Sequence, residues 1–309
     1  MTEFGLRHLL TIRELDRLHI EQILSTAEDF LPVLERPIKQ VPSLRHITVL
    51  HLFYESSTRT RISFELAARR LSAQVVNFSV AGSSVAKGES LLDTARNIQA
   101  MKVDLVVIRH HSSGAAHFLS QHLHAGIINA GDGVNEHPTQ ALLDAFTLRR
   151  SFAKLEGLKI ALIGDILHSR VARSNIYCLT RLGAQVCVCG PPSLIPVHIE
   201  ALGAKVTYDV VEALRWCDVA YVLRIQLERQ HVGYFPSLQE YADWYGVHEQ
   251  AIKQAGRRVP IMHPGPVNRG VELTAELADS SQSLILQQVT YGVAVRMAVL
   301  YLLAQQVQA

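Results

Sequence analysis

The chain has 309 residues, of which 48% are hydrophobic and 19% are charged, and its formal net charge at pH 7 is +2. The length predicts two domains, and the composition excludes a globally disordered chain. A net charge so near zero gives no support for a general nucleic-acid or membrane-binding surface, so we expect neither nucleic acid nor a membrane as a partner.

The first eight residues contain no basic-then-apolar signal pattern. The most apolar segment, residues 293–304, is interrupted by Arg296 and is too short to span a bilayer. The four cysteines are Cys178, Cys187, Cys189 and Cys217. They form no Cys-x-x-Cys pair, so we expect no structural zinc but small core residues in a reducing compartment. The protein is expected to be cytoplasmic.

The first half of the chain alternates predicted strands and helices. Apolar residues at helical spacing predict a helix over residues 11–30, which prolines then end. Strands are predicted over residues 47–54, 73–80, 104–109 and 126–131. Helices are predicted over residues 62–71, 90–101, 114–123 and 138–150. A loop rich in Gly and Ser, residues 81–89, follows the second strand.

The alternation begins again after residue 157. Strands are predicted over residues 159–165, 185–189, 205–208, 219–224 and 259–263, with helical runs between them. The final predicted helix, about residues 283–305, is apolar on most sides and should be buried.

The order of elements predicts an α/β protein with two doubly wound parallel sheets, because continuously apolar strands are typical of sheets covered on both faces. The first domain is predicted to be residues 1–150 and the second residues 151–283. The C-terminal helix, about 284–309, is predicted to pack back on the first. Ligands of open α/β sheets bind beyond the carboxyl ends of the strands, and we expect the active site between the two domains.

The first strand leads directly into residues 55–61, Glu-Ser-Ser-Thr-Arg-Thr-Arg. The first turn of a helix carries unpaired N–H groups and the positive end of the helix dipole. Hydroxyls and a guanidinium at that place predict an anion site, with phosphate as its occupant. A lone Ser-Thr pair would more simply be a helix cap.

Two further polar clusters follow strands of the first half. Arg109 ends the third predicted strand, and His137 and Gln140 stand three residues apart where Pro138 begins a helix. Both side chains can point at a small ligand there, although a structural histidine is the simpler interpretation of any lone one.

The second half offers arginines at two strand ends. Arg170 opens a helix after residues 164–169, where a dinucleotide fingerprint would stand, but the Gly-x-Gly-x-x-Gly pattern is missing. Arg224 ends another strand, with Gln226 beside it. Each alone could form a surface ion pair; together they predict a clamp for a dicarboxylate. Residues 263–270 contain two prolines and two glycines and predict a rigid turn that lets backbone carbonyls approach a ligand.

Residues 53–61, followed by Ser-Phe-Glu at 63–65, resemble the carbamoyl-phosphate motif of the aspartate and ornithine carbamoyltransferases. The His-Pro-Thr-Gln segment at 137–140 is similar to their carbamoyl-binding motif. His-Pro-Gly-Pro at 263–266 and Arg-Ile-Gln at 224–226 resemble the aspartate carbamoyltransferases rather than the ornithine enzymes, which carry His-Cys-Leu-Pro and a Ser-Met-Gly loop. Some members have Leu where Gly265 stands, but only a backbone carbonyl is expected to act there.

The resemblance implies carbamoyl transfer from carbamoyl phosphate to the α-amine of L-aspartate, giving N-carbamoyl-L-aspartate and phosphate, in de novo pyrimidine (UMP) synthesis. The residues that it implies for the phosphate are Ser57, Thr58, Arg59, Thr60 and Arg109. It implies that Thr60, Arg109 and His137 stabilise the charge that develops on the carbonyl oxygen. The groups implied for the carbamoyl NH2 are those of Gln140 and the carbonyls of Gly265 and Pro266, beside His137. The aspartate carboxylates are implied to be bound by Arg170 and Arg224, with Gln226 near them. No cofactor or metal is implied.

Ser83 and Lys87 lie in the Gly/Ser-rich loop, which by sequence alone is best interpreted as a solvated loop. The resemblance implies that both reach the site of a neighbouring subunit, where Lys87 would also bind aspartate, and hence a homotrimer with shared active sites. A regulatory chain or a dihydroorotase is a possible partner. Two alternatives remain: a carbamoyltransferase with another amine acceptor, and a non-catalytic scaffold with the same fold.

Overall fold

A computed structural model describes residues 4–79, 88–226 and 234–308. The chain divides into two compact units, Met1–Phe146 with Thr290–Ala309, and Thr147–Val289. The predicted domain limits lie a few residues away, at 150/151 and 283/284. Both divisions observed in the structure fall inside continuous helices, so each helix contributes residues to both units.

The first unit contains a four-stranded parallel sheet in the order β2-β1-β3-β4. Its strands are β1 (Thr48–Phe53), β2 (Gln74–Ser79), β3 (Leu105–His110) and β4 (Gly126–Asp132). Its helices are α1 (Arg17–Phe30), α2 (Thr58–Arg70), α3 (Leu91–Ala100), α4 (Ala115–Ser120) and α5 (Pro138–Ser151), the last of which runs on into the second unit. A short 3-10 helix, Leu31–Leu34, follows α1.

The second unit contains a five-stranded parallel sheet in the order β7-β6-β5-β8-β9. Its strands are β5 (Lys159–Ile163), β6 (Gln185–Cys189), β7 (Ala204–Thr207), β8 (Val219–Val222) and β9 (Ile261–Met262). Its helices are α6 (Arg170–Arg181), α7 (Val210–Trp216), α8 (Leu238–Tyr245), α9 (Glu249–Ala255) and α10 (Ala275–Ala278). Short 3-10 helices cover Pro192–Leu194 and Ile199–Leu202.

Helix α11 (Ile285–Gln308) begins in the second unit and ends in the first. Within the described residues it is the one helix long and apolar enough to cross a membrane by length and composition, but 61% of that stretch is buried in the fold. The burial of this helix agrees with the prediction made from its apolar pattern.

The predicted fold class is confirmed, since both units are parallel sheets flanked by helices. Every residue of β4 and β8 is buried, which explains why the strands are apolar without alternation. The buried clusters of each unit join one face of its sheet to its helices. None of the four cysteines, all of which lie in the described residues, forms a disulfide, and all four are buried. Burial raises the pKa of the Cys187 thiol to about 11.

Three predicted boundaries are wrong, two of them for identifiable physical reasons. Helix α1 begins at Arg17 and not at residue 11, because the Asp16 carboxylate accepts the His19 N–H and caps the helix there. Helix α2 begins at Thr58, four residues before the predicted start. Strand β9 is limited to Ile261–Met262, since Pro260 has no N–H to give to a sheet.

Candidate active site

The first unit has its topological switch point between β1 and β3. From β1 the chain passes to β2 on one side, and then returns to form β3 and β4 on the other side. Crevices outside the carboxyl ends of strands at such a point are where open α/β sheets bind ligands. The segments that follow β1, β3 and β4 carry the predicted phosphate and carbamoyl residues, so the structure brings these segments to one edge of the sheet.

Helix α2 opens this site. Ser57 is its N-cap residue, and in the described part of the chain its side chain makes no capping hydrogen bond. Because α2 begins at Thr58, the residues Thr58, Arg59 and Thr60 form its first turn and do not belong to a preceding loop. Arg59 is exposed and Thr60 is buried. The capping interpretation is not supported for Ser57, while the N–H groups of this turn fit an anion site.

Arg109 lies beside the same turn, because its β3 position is in register with Phe53 at the end of β1. Its Nε lies 3.2 Å from Glu55 Oε2, and its Nη1 donates to the Ala130 carbonyl over 3.3 Å. Both side chains of the ion pair keep some exposure, 15% for Arg109 and 20% for Glu55. Glu55 thus holds the guanidinium where an anion can reach it, a role that the sequence motif did not reveal.

Pro138 is the first residue of α5, as predicted, and His137 precedes it. His137 and Gln140 are both buried. The loop before them is held by Asp132, whose carboxylate accepts the Gly114 N–H at 2.6 Å and the Asn129 amide at 2.8 Å. The His-Pro-Thr-Gln segment is therefore a fixed element at the end of β4.

Next to Arg109, His110 ends β3 and stacks on His111 with ring centroids 4.2 Å apart. Burial, and then the neighbouring His111, lowers the pKa of His110. Burial thus favours the neutral form of His110, and Arg109 supplies positive charge at this strand end.

The second unit has its switch point between β5 and β8, since β6 and β7 extend the sheet on one side and β8 and β9 on the other. Gly164 follows β5 with φ +134°, and a Cβ on it would lie 2.6 Å from the Leu223 carbonyl oxygen. Only glycine allows the two strand ends to approach so closely.

Asp165 joins the loops that follow β5 and β8. Its Oδ1 accepts the His168 backbone N–H at 3.1 Å and lies 2.9 Å from His168 Nδ1, and its Oδ2 accepts the Gln226 N–H at 3.2 Å. Asp165 is fully buried. A buried carboxylate with three donors fixes both loops relative to one another.

The predicted clamp residues stand on these two loops. Arg170 is the first residue of α6, is only 3% exposed, and follows Ser169, whose hydroxyl accepts the Ala172 N–H and caps the helix. Arg224 Nη2 donates to Gln226 Oε1 over 3.1 Å. The structure thus places Arg170, Arg224 and Gln226 at one switch point, as the sequence predicted.

The loop after β9 is also built around a carboxylate that the sequence analysis missed. His263 Nδ1 accepts the Gly265 N–H at 2.8 Å, and its Nε2 lies 3.3 Å from Glu272 Oε1. The same Glu272 oxygen accepts the Asn268 N–H at 2.6 Å. Glu272 therefore spans the loop that presents the carbonyls of Gly265 and Pro266, which are joined by a cis peptide bond.

Two predicted residues, Ser83 and Lys87, lie outside the described residues. Among residues 4–79, 88–226 and 234–308, no group of three or more His, Cys, Asp or Glu side chains is placed to hold a metal ion. The acidic residues missed by the sequence analysis, Glu55, Asp165 and Glu272, share one signal. Each lies within ten residues of a strand end that carries a predicted site residue, but this spacing is too common in proteins to single them out.

Models of two protein domains match the chain. Residues 7–150 match the aspartate/ornithine carbamoyltransferase carbamoyl-P binding domain, and residues 156–303 match the Asp/Orn binding domain of the same family. The chain belongs to the aspartate/ornithine carbamoyltransferase family. The predicted family is thereby confirmed.

Its similarity to curated members of the family extends over nearly the whole chain. The aspartate carbamoyltransferase catalytic subunit of Cytophaga hutchinsonii is 59% identical over 98% of this chain and 99% of its own length. That of Carboxydothermus hydrogenoformans is 55% identical over 96% of both chains.

Solved structures of the family have the same fold. Aspartate transcarbamoylase from Trypanosoma cruzi, in complex with N-(phosphonacetyl)-L-aspartic acid, matches with TM-score 0.85 and 30% identity over 95% of this chain and 94% of that one. Ornithine carbamoyltransferase from Pyrococcus furiosus also matches with TM-score 0.85, with 26% identity over 98% of both. The fold alone therefore does not select the amine acceptor.

Proposed function

We propose that this transferase moves the carbamoyl group of carbamoyl phosphate to the α-amine of L-aspartate, giving N-carbamoyl-L-aspartate and phosphate. The observation that carries the proposal is the placement of arginines at both switch points, Arg109 in one unit and Arg170 with Arg224 in the other. The reaction joins two anions, so each substrate needs fixed positive charge of its own. The relatives named aspartate carbamoyltransferase support the same reaction.

In the first unit, the phosphate would be bound by the first turn of α2 and by Arg109. The residues proposed for it are Ser57, Thr58, Arg59, Thr60 and Arg109. Thr60, Arg109 and His137 would stabilise the negative charge that develops on the carbonyl oxygen, each donor contributing about 3–4 kcal/mol in acyl transfer. The carbamoyl NH2 would be bound by Gln140 and by the carbonyls of Gly265 and Pro266.

The chemical step needs no nucleophilic side chain. The α-amine of aspartate attacks the carbamoyl carbon, a tetrahedral oxyanion forms, and the bond between carbon and the phosphate oxygen breaks. The proton of the amine passes to the departing phosphate. Positioning of the two substrates supplies much of the rate, because it converts a bimolecular step into an intramolecular one.

The acceptor is proposed to be a dicarboxylate. Arg170 is buried at the start of α6, and Arg224 is oriented by Gln226, so two guanidiniums face a substrate at one switch point. A cationic amine such as ornithine would be repelled there. The sequence also has His-Pro-Gly-Pro where ornithine enzymes have His-Cys-Leu-Pro.

The wider setting is also a proposal. The reaction would serve pyrimidine synthesis in the cytoplasm. The active enzyme would be a homotrimer in which Ser83 and Lys87 complete a neighbouring subunit's site. The relatives' description as catalytic subunits supports a possible regulatory partner chain, and a dihydroorotase is a second possible partner.

An acceptor panel tests the function. Carbamoyl transfer from carbamoyl phosphate is measured with L-aspartate, L-ornithine, L-glutamate and putrescine. Turnover with aspartate alone supports the proposal. Turnover only with another amine is consistent with the proposed carbamoyl phosphate site but contradicts the proposed dicarboxylate clamp of Arg170 and Arg224. No turnover with any amine, despite binding of carbamoyl phosphate, points to a scaffold or a missing partner chain.

Mixed subunits test the shared site. Lys87→Ala and Arg59→Ala chains are each expected to be inactive, and a mixture of the two should regain activity because some sites then combine two intact contributions. A mixture that stays inactive, or a fully active monomer, contradicts the trimer proposal.

A further inference from the structure

Helix α5 carries a buried carboxylate one turn beyond Gln140. Asp144 is fully buried, Gln140 is 8% exposed, and Gln140 Nε2 donates to Asp144 Oδ1 over 3.0 Å. Residues four apart lie on one face of a helix, and side chains lean toward its N-terminus, so Asp144 reaches back to Gln140. The Gln140 side-chain amide is thus held by a carboxylate of its own helix.

This contact decides which atom of the Gln140 amide points where. An ionised carboxylate only accepts hydrogen bonds, whereas an amide has a donating NH2 and an accepting oxygen. The NH2 of Gln140 must therefore face Asp144, and Oε1 is the atom that remains for a ligand. A ligand with hydrogen-bond donors fits this oxygen, and one with a methyl group in their place does not.

Arg296 of α11 supplies a buried positive charge that interacts with Asp144 and favours its ionised form. Its guanidinium is buried, lies 5.1 Å from the centroid of the Phe64 ring, and donates through Nη1 to the Gly292 carbonyl over 3.0 Å. Burial lowers the pKa of Arg296 to about 10, against the opposing effect of the Asp144 charge, so it stays protonated at neutral pH. A positive charge nearby favours the ionised state of a carboxyl group.

We propose that Asp144 is a positioning residue that fixes the polarity of the Gln140 amide and so makes the site select an acyl phosphate that carries NH2 over one that carries methyl. This inference rests on the proposed function only for the identity of the ligand. Three helices together hold Gln140 Oε1 in place: α5 with Asp144, α11 with Arg296, and α2 with Phe64.

Two stable probes differ only in the group that is selected. Phosphonoacetamide carries an NH2 on its carbonyl, and 2-oxopropylphosphonate carries a methyl group there. Affinities of both are measured by calorimetry for the wild-type protein and for Asp144→Asn. We expect the wild type to prefer the amide, and Asp144→Asn to reduce this preference about 3- to 10-fold, because the asparagine amide can donate or accept and no longer fixes Gln140.

A structural role alone would change both affinities by the same factor, since both probes use the same phosphate contacts. Phe146→Leu is the matched control, because Phe146 is buried on α5, packs on Tyr291 and has no side-chain group that can hydrogen-bond with the amide. It should lower thermal stability and leave the preference unchanged. In a Gln140→Ala background, Asp144→Asn should reduce the preference no further.

Asp144→Asn leaves the Arg296 charge buried without its counter-charge and destabilises the protein. If it does not fold, Asp144→Asn/Arg296→Gln removes both buried charges and carries the same expectation. Equal loss of affinity for both probes overturns the proposal, as does a wild type without preference for the amide. A wild type without carbamoyl transfer overturns the proposed function instead, and the binding preference still tests Asp144.

Discussion

The two units bring positive charge to the same topological place in different ways. In the first, Arg109 pairs with a partly exposed carboxylate, Glu55, and stands beside a helix N-terminus with hydroxyl side chains. In the second, the loops that carry Arg170 and Arg224 are joined by a fully buried carboxylate, Asp165.

The difference follows the shape of the proposed ligands. A phosphate has several oxygens and suits many small donors around one point. Two carboxylates on a short chain need two guanidiniums at a fixed separation, which a rigid buried anchor provides. In the first unit the carboxylate pairs with the arginine itself, whereas in the second unit it holds the loops that carry the arginines.

The largest expected effect lies in the first unit. Arg109→Ala should lower kcat by about 10²–10³-fold, because it removes the proposed donor to the developing oxyanion together with a proposed phosphate contact. Steady-state kinetics with both substrates measure it. Arg69→Ala is the control, since Arg69 is exposed at the far end of α2 and pairs with Glu65; it should stay within about twofold of the wild type. A small effect of Arg109→Ala on kcat would contradict the role proposed for Arg109 in the first unit.

Arg170→Lys sharpens the comparison from the other unit. Lysine keeps the charge but cannot form a bidentate pair with a carboxylate. We expect the KM for aspartate to rise about 10- to 100-fold, with the affinity for carbamoyl phosphate in the absence of aspartate nearly unchanged. Arg173→Lys, on the same helix, serves as the matched control. If Arg170→Lys instead weakens carbamoyl phosphate binding, the proposal that the second unit binds only aspartate through its arginines is wrong.

The first unit should respond to acid through a buried histidine of its sheet. His51 of β1 is buried, and burial, despite a hydrogen bond with Asn77, lowers its pKa from 6.5 to about 4. Since the unfolded chain binds this proton first, the stability that the neutral ring contributes is complete above pH 6.5 and is lost as the pH falls toward 4. The loss is at most about 3 kcal/mol.

Thermal or urea unfolding of His51→Gln between pH 7 and pH 4.5 measures this contribution. The variant should lose less stability on acidification than the wild type. The slope of its unfolding free energy against pH should be smaller by an amount that corresponds to at most about one bound proton. His117→Gln removes an exposed histidine of α4 and should leave the pH dependence as it is. Identical pH dependence in wild type and His51→Gln would show that His51 does not contribute.

The smallest expected effect concerns the loop after β9. Glu272→Gln keeps an acceptor for the Asn268 N–H but removes the negative charge 3.3 Å from His263. We expect kcat/KM for carbamoyl phosphate to fall about 3- to 10-fold, since the carbonyls of Gly265 and Pro266 are then held less firmly. The exposed Glu276→Gln of α10 is the control. An unchanged kcat/KM would show that the loop does not depend on this contact.

Much of the fold could be predicted because its signals are local. Apolar runs without alternation indicated buried parallel strands, and a proline directly after His137 indicated the start of α5, which the structure places at Pro138. The start of α1 could not be found by periodicity, since the Asp16 carboxylate, and not the apolar pattern, decides where that helix begins.

The sequence by itself determined the fold class, the family and the positions of the candidate site residues, because strand ends and family motifs are read from neighbouring residues. Only the tertiary structure decided which acidic side chains interact with the candidate site residues or with the loops that carry them. Asp165 meets Gln226 across 61 positions of sequence, and Asp144 meets the charge of Arg296 across a still longer separation. Such pairings depend on which strands and helices become neighbours, and no local pattern records that.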